Sequence, residues 1–264
     1  MLSHRSLSTL ALGLLLTVSV TACTGADKPS AAPATATPTV SATPALADLS
    51  GEEILKQATA ALSQNSFTVE GDLSGGEDGA MRVTLSTDGK GSCTGTIQQG
   101  ATGSFELRAT PDRTWLKPDA QYWASILAKK GVSADVAAAV TERIGGKYLT
   151  GPQDDPDVKG MAEICKGVTG ILSDFGNAKV TKAAVRVAEG VETVPLTVTT
   201  ADGSSGQVYI AATGKPYPVK MESPMDTQPV HVVFRDFGKP VTVQAPPAAQ
   251  VLDTADLKKQ TQGA

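Results

Sequence analysis

Side chains that could do chemistry are few in this chain. It has three cysteines, Cys23, Cys93 and Cys165, and two histidines, His4 and His231. Nucleophilic or acid–base catalysis needs a nucleophile, a base and a stabilising group held together. No Gly-x-Ser-x-Gly, Ser-x-x-Lys or His-Glu-x-x-His run begins such a set. His231 stands opposite Val230 and Val232 in a strand-like alternation, so it is expected to face solvent. Asp154-Asp155-x-Asp157 could hold calcium weakly, but it lacks the spacing and the downstream Glu of an EF-hand loop and reads as a solvated loop. Asp174-Phe175-Gly176 and Asp236-Phe237-Gly238 copy a kinase triplet without the rest of a kinase, so both read as turns. No catalytic residue, metal or cofactor is expected. The chemistry rests with the cysteines.

Cys23 closes an unusual stretch. Arg5 precedes an apolar run from Leu10 to Val20, and small residues, Thr21 and Ala22, come just before the cysteine. The run is too short to span a bilayer as a mature helix. Val20-Thr21-Ala22-Cys23 resembles the lipobox of bacterial lipoproteins. That resemblance implies a diacylglyceryl group on the Cys23 thiol and cleavage between Ala22 and Cys23. It also implies a mature protein anchored by lipid on the extracytoplasmic face of the cell membrane. The alternative is an ordinary secretory signal with an incidental cysteine. With Cys23 lipidated, Cys93 and Cys165 remain as an even pair in an oxidising compartment, and a disulfide is expected. Two buried free thiols are the alternative.

Removing residues 1–22 takes away Arg5 and leaves the mature chain one unit more negative than the −4 of the whole. A mildly acidic chain does not suit nucleic acid or a polybasic membrane patch. Aromatics are only 4% of the residues, so the core must rely on Val, Leu, Ile, Ala and Met.

The order along the chain sets the architecture. Residues 23–48 carry the lipidated cysteine and a tether rich in Ala, Thr and Pro, too polar to order itself. A domain is expected over 49–250, with a polar tail over 251–264. Ser50 and Glu53 have capping-box spacing, and Ile54, Leu55, Ala58 and Leu62 share one helical face. The period then changes to two, from Phe67 through Leu85 and on to Lys117, with Gly and Asp turns between short strands. Asp119 and Ser133 can cap two helices, a polar loop spans Gly151 to Asp157, and Met161 to Leu172 forms a third apolar stripe carrying Cys165. Strands resume at Val185 and run to Phe234, and Val241 to Pro247 reads as extended. The expected fold is α+β: a strongly curved antiparallel β-sheet, an open half-barrel, covered by helices.

Three segments carry a second resemblance. They are Ser66-Phe67-Thr68-Val69-Glu70-Gly71 after the opening helix, Trp115-Leu116-Lys117 before the helix with Trp123, and Phe234-Arg235-Asp236-Phe237-Gly238-Lys239-Pro240-Val241 near the end. With the lipobox, this pattern resembles the carrier lipoproteins with a LolA/LolB-like half-barrel, especially the actinobacterial LppX/LprG-type branch. The resemblance implies an apolar cavity between sheet and helices that holds acyl chains of lipids or glycolipids. Inward strand positions Val69, Leu85, Leu107, Val198, Ile210 and Val232 would line it, with Ile126, Leu127 and Ile164 from the helices. The alternative is that these residues fill the space and leave no cavity. Tyr122, Trp123 and Trp115 gather near the insert, where they either gate the mouth or pack helix on sheet.

The reading that follows is a membrane-tethered binding protein for an apolar, lipid-like ligand, not an enzyme. Its partners are the membrane, through the lipid anchor, and that ligand, with no nucleic acid. A cell-surface interaction module with a filled core and an unknown protein partner is the other reading.

Overall fold

The protein is described by a computed structural model over residues 45–74, 80–151, 156–175, 177–223 and 230–255. The lipobox with Ala22 and Cys23, the tether up to residue 44, the turn at 75–79, Asp154, Asp155 and Gly176 lie outside the described residues.

The first helix, α1 (Gly51–Ser63), starts where its cap predicts. The Ser50 hydroxyl accepts the Glu53 amide at 3.2 Å, meeting one of the orphan donors of the first turn. Ile54, Leu55, Ala58 and Leu62 form its buried stripe. Five strands then follow as a meander: β1 (Phe67–Ser74), β2 (Ala80–Thr87), β3 (Cys93–Gln99), β4 (Gly103–Ala109) and β5 (Thr114–Pro118). Helices α2 (Ala120–Lys129) and α3 (Ala134–Ile144) come next, then β6 (Tyr148–Gly151) and α4 (Pro156–Gly170). The second run of strands is β7 (Lys179–Lys182), β8 (Arg186–Ala188), β9 (Val191–Thr199), β10 (Ser205–Ala211), β11 (Pro218–Ser223) and β12 (Val230–Arg235), with β13 (Val251–Asp253) last.

All of these strands join one open, curved sheet in the order β13-β6-β5-β4-β3-β2-β1-β12-β11-β10-β9-β7, with β8 beside β9. Every pair is antiparallel except β13 with β6. The two strand runs meet at a seam between β1 and β12, where Val69 faces Phe234 and Gly71 faces Val232. Gly71 makes the seam possible. It has φ 143°, and a Cβ there would lie 2.0 Å from the His231 carbonyl oxygen.

The inward positions are a single core. Val69, Val83, Leu85, Ile97, Leu107, Leu196, Val208, Ile210 and Val232 pack with the stripe of α1 and with Cys165, Val168 and Leu172 from α4 and the residues just after it. Cys93 on β3 and Cys165 on α4 are joined by a disulfide with Cα atoms 5.8 Å apart. Phe67 touches Phe234 and Phe237, with ring centroids 6.0 and 5.8 Å apart, and Phe237 stacks on Tyr217 at 4.0 Å. The second Asp-Phe-Gly turn thus closes the core beside the seam.

The structure differs from the sequence reading at both borders of the domain. Leu46–Asp48 forms a 3₁₀ turn, Leu46 and Ala47 pack on the core, and Lys182 Nζ donates to the Leu49 carbonyl at 2.8 Å. Leu46–Asp48, inside the segment 23–48 read as tether, is therefore folded onto the domain, because two apolar residues there find a buried face. Val251–Asp253, read as the start of the polar tail 251–264, is strand β13 and pairs with Tyr148–Thr150. Val241 and Val243 are half buried but lie in no strand. Helix α4 begins at Pro156, inside the stretch read as a loop, and Pro suits the first helical turn because it has no amide to leave unpaired. Ser133 occupies its cap position without a side-chain hydrogen bond.

Candidate functional site

The site begins at the turn between β9 and β10. Asp202 holds this turn: its carboxylate accepts the Thr200 hydroxyl, the Ser204 amide at 3.2 Å and the Ser204 hydroxyl at 3.1 Å. Those bonds hold the Asp202 carboxyl below the usual carboxylate range, the Thr200 hydroxyl contributing most. The Thr200 amide closes the turn onto the Ser204 carbonyl at 2.9 Å, and Gly203 supplies a positive φ of 88°.

Past the turn, the described residues leave a hollow at one end of the sheet's core-facing side. Val198 on β9, Val208 on β10, Met221 on β11 and Val230 on β12 form its floor, and Phe175 from the 3₁₀ turn after α4 stands across from them. Small residues, Ser205, Gly206 and Ser223, line the rim. The result is an apolar groove with a cavity volume of about 510 Å³. Small-molecule sites are commonly of this size, roughly 300–1,000 Å³, with apolar walls and a few polar groups. Phe175 also borders a second hollow of about 460 Å³, beneath Leu55, Thr59, Leu172 and Val180.

The outer side of the same strand ends is polar. Thr197, Gln207, Glu222 and His231 border a shallow recess of about 430 Å³ that shares Ser205, Gly206, Glu222, Ser223 and Val230 with the apolar groove. Glu222 is tied down: its carboxylate accepts the Tyr209 hydroxyl and pairs with Lys220 Nζ at 2.8 Å. Partial burial pushes the Glu222 carboxyl up, but the bonds from Lys220 and Tyr209 and the nearby Lys220 and His231 charges pull it below its ordinary value. Tyr209 is pushed up, first by burial and then by its bond to Glu222.

The residues named from sequence distribute unevenly around this site. Val198 lines the groove. Val69, Leu85, Leu107, Ile210 and Val232 are buried in the filled core and do not line it. Ile164 is half buried against that core, and Ile126 and Leu127 are half buried on α2, away from the groove walls. His231 is exposed. Tyr122 meets Phe105 edge-on at 5.3 Å, so it packs helix on sheet, and Trp115 is buried on β5. Sequence reasoning missed Phe175, Val208, Met221 and Val230 as wall residues. The three strand residues carried an alternation signal, and Phe175 carried only a turn signal. Among the described residues, no three of His, Cys, Asp and Glu gather to hold a metal, and no helix is long and apolar enough to cross a membrane.

The chain resembles solved mycobacterial proteins. LprF from Mycobacterium bovis is 16% identical over 75% of this chain and 97% of its own, with a TM-score of 0.48. The Mycobacterium tuberculosis lipoprotein LppX is 14% identical over 73% of this chain and 97% of its own, with a TM-score of 0.47. A LolA superfamily protein from Nitrosomonas europaea is 9% identical over 76% of this chain and 96% of its own, with a TM-score of 0.26. No protein-family model matches the chain, and no curated protein matches it.

Proposed function

We propose that this protein is a lipid-anchored, extracytoplasmic carrier that takes the apolar chain of a lipid-like ligand into the groove at the end of β9–β12. The observation that supports it is the groove itself: about 510 Å³ walled by Val198, Val208, Met221, Val230 and Phe175. Burying a methylene against such walls is worth ~0.8 kcal/mol, so each added carbon of a bound chain tightens binding. The reading includes acylation of Cys23, which keeps the groove near the membrane where such ligands arise.

The test is native mass spectrometry with organic extraction on the domain from Ala45 onward, exported so that Cys93 and Cys165 pair. A co-purifying lipid-sized mass is expected, and Val230→Trp, which fills the groove from its edge, abolishes it. An apo mass that persists after incubation with host membrane lipids rejects the carrier reading. The filled core and the exposed Val185, Val187 and Val191 favour a second reading in that event, an interaction module with no ligand.

A further inference from the structure

The groove carries a charge pattern that its apolar walls do not require. Its lining holds two acidic residues, Asp202 and Glu222, and hydroxyls from Thr200, Ser204, Ser205 and Ser223, with no Lys or Arg among the lining residues. The two carboxylates are not equivalent. Glu222 is paired with Lys220 on the outer side of the sheet. Asp202 makes no ion pair among the described residues, and the turn fixes it at the rim. A carboxylate offers about four acceptor positions. The donors from Thr200 and Ser204 lie within the turn, and the Asp202 carboxylate stays open to solvent and to an incoming head. The adjoining recess continues the pattern with the acceptor-bearing Gln207 and Thr197. The cations close by are already engaged, Lys220 on Glu222 and Arg186 on Gln207 and Tyr209.

We infer that the groove selects an amphiphile whose head donates hydrogen bonds and bears no negative charge, the head lying at Asp202 and the chain on Val198, Val208 and Met221. This rests on the carrier reading and narrows its ligand class. An anionic head placed at this rim meets a fixed like charge with no cation in the lining to offset it. A cationic head meets the opposite. At contact distance in water one such charge pair changes affinity about five-fold, and salt weakens it.

The experiment uses the disulfide-bonded domain and the neutral fluorophore N-phenyl-1-naphthylamine at low salt. Dodecylammonium, dodecyl maltoside and dodecanoate, each below its micelle concentration, compete for the groove. Dodecylammonium and dodecyl maltoside are expected to displace the fluorophore at roughly five-fold or more lower concentration than dodecanoate. Asp202→Asn keeps the size of the side chain and draws the dodecylammonium and dodecanoate values together. Equal displacement by all three, or a preference unmoved by Asp202→Asn, overturns the head-group inference and leaves the groove as a general apolar site. Failure of the fluorophore to bind, or its undiminished binding to Val230→Trp, overturns the carrier reading and this inference with it.

Discussion

Breaking the Cys93–Cys165 bridge is the most searching perturbation of this fold. The bridge links β3 to α4 across 72 residues, and both cysteines are buried in the core. In the chain-entropy account, a loop of that length removes ~4 kcal/mol of conformational freedom from the unfolded chain. Marginal domains have only about 5–15 kcal/mol in total, so this is a large share. For a domain of this size each kcal/mol moves Tm by roughly 2–4 °C, which predicts a fall of roughly 8–16 °C. Reduction of the wild type isolates the cross-link, because the same sulfur atoms stay in the core. The assay is urea unfolding of oxidised and reduced protein, with Cys93→Ala/Cys165→Ala as the variant that cannot re-form the bridge. The m-value should also rise without the bridge, since the released chain exposes more surface when unfolded. Oxidised and reduced forms within ~1 kcal/mol of each other, with equal m-values, would refute the entropic reasoning.

Other consequences are as direct. Gly71→Ala puts a methyl into the His231 carbonyl at the seam and should cost at least 2–3 kcal/mol, roughly what overpacking and a strained backbone cost together, read as a lowered urea midpoint. Leu107→Ala, fully buried on β4, should cost about 2–5 kcal/mol in the same assay. The Asp119 carboxyl is raised by partial burial but held below its ordinary value by Ser104 and by the Tyr122 amide at 2.7 Å. A depressed folded pKa gives stability that is complete above the ordinary value near 4 and is lost as pH falls below it, so Tm should drop in acid and Asp119→Asn should flatten that drop. Cys23→Ala should leave an unprocessed or released protein, and a processed, membrane-retained form detected by fractionation would contradict lipidation there.

Local signals and long-range pairing were not equally legible. Ser50 with Glu53, the α1 stripe and the alternation of β1 to β5 are written in neighbouring residues, so their elements were readable in place. The inward face was readable too, since alternation says which side of a strand is apolar. Alternation does not say which of two buried inward residues borders a hollow, as Val198 does and Val69 does not. Strands β6 and β13 escaped because each is only three or four residues long, and their pairing joins Tyr148 to Val251 across most of the second half of the chain. Strand β7 has a single apolar residue, Val180, and becomes a strand by bonding to β9. The disulfide was reachable by counting cysteines, whereas the ~5.8 Å approach of β3 to α4 that permits it is a tertiary fact.

The seam between β1 and β12 bears on how the molecule is made. It pairs the first strand of the domain with one near its end, so the centre of the sheet is its least local contact. Closing so long a stretch is entropically costly, and domains rich in such non-local pairings fold slowly. The meander β1 to β5 can assemble from adjacent segments, but β12 supplies Val230 to the groove wall and docks only when nearly the whole chain is present. The groove therefore lacks one of its walls until β12 has paired with β1 and β11.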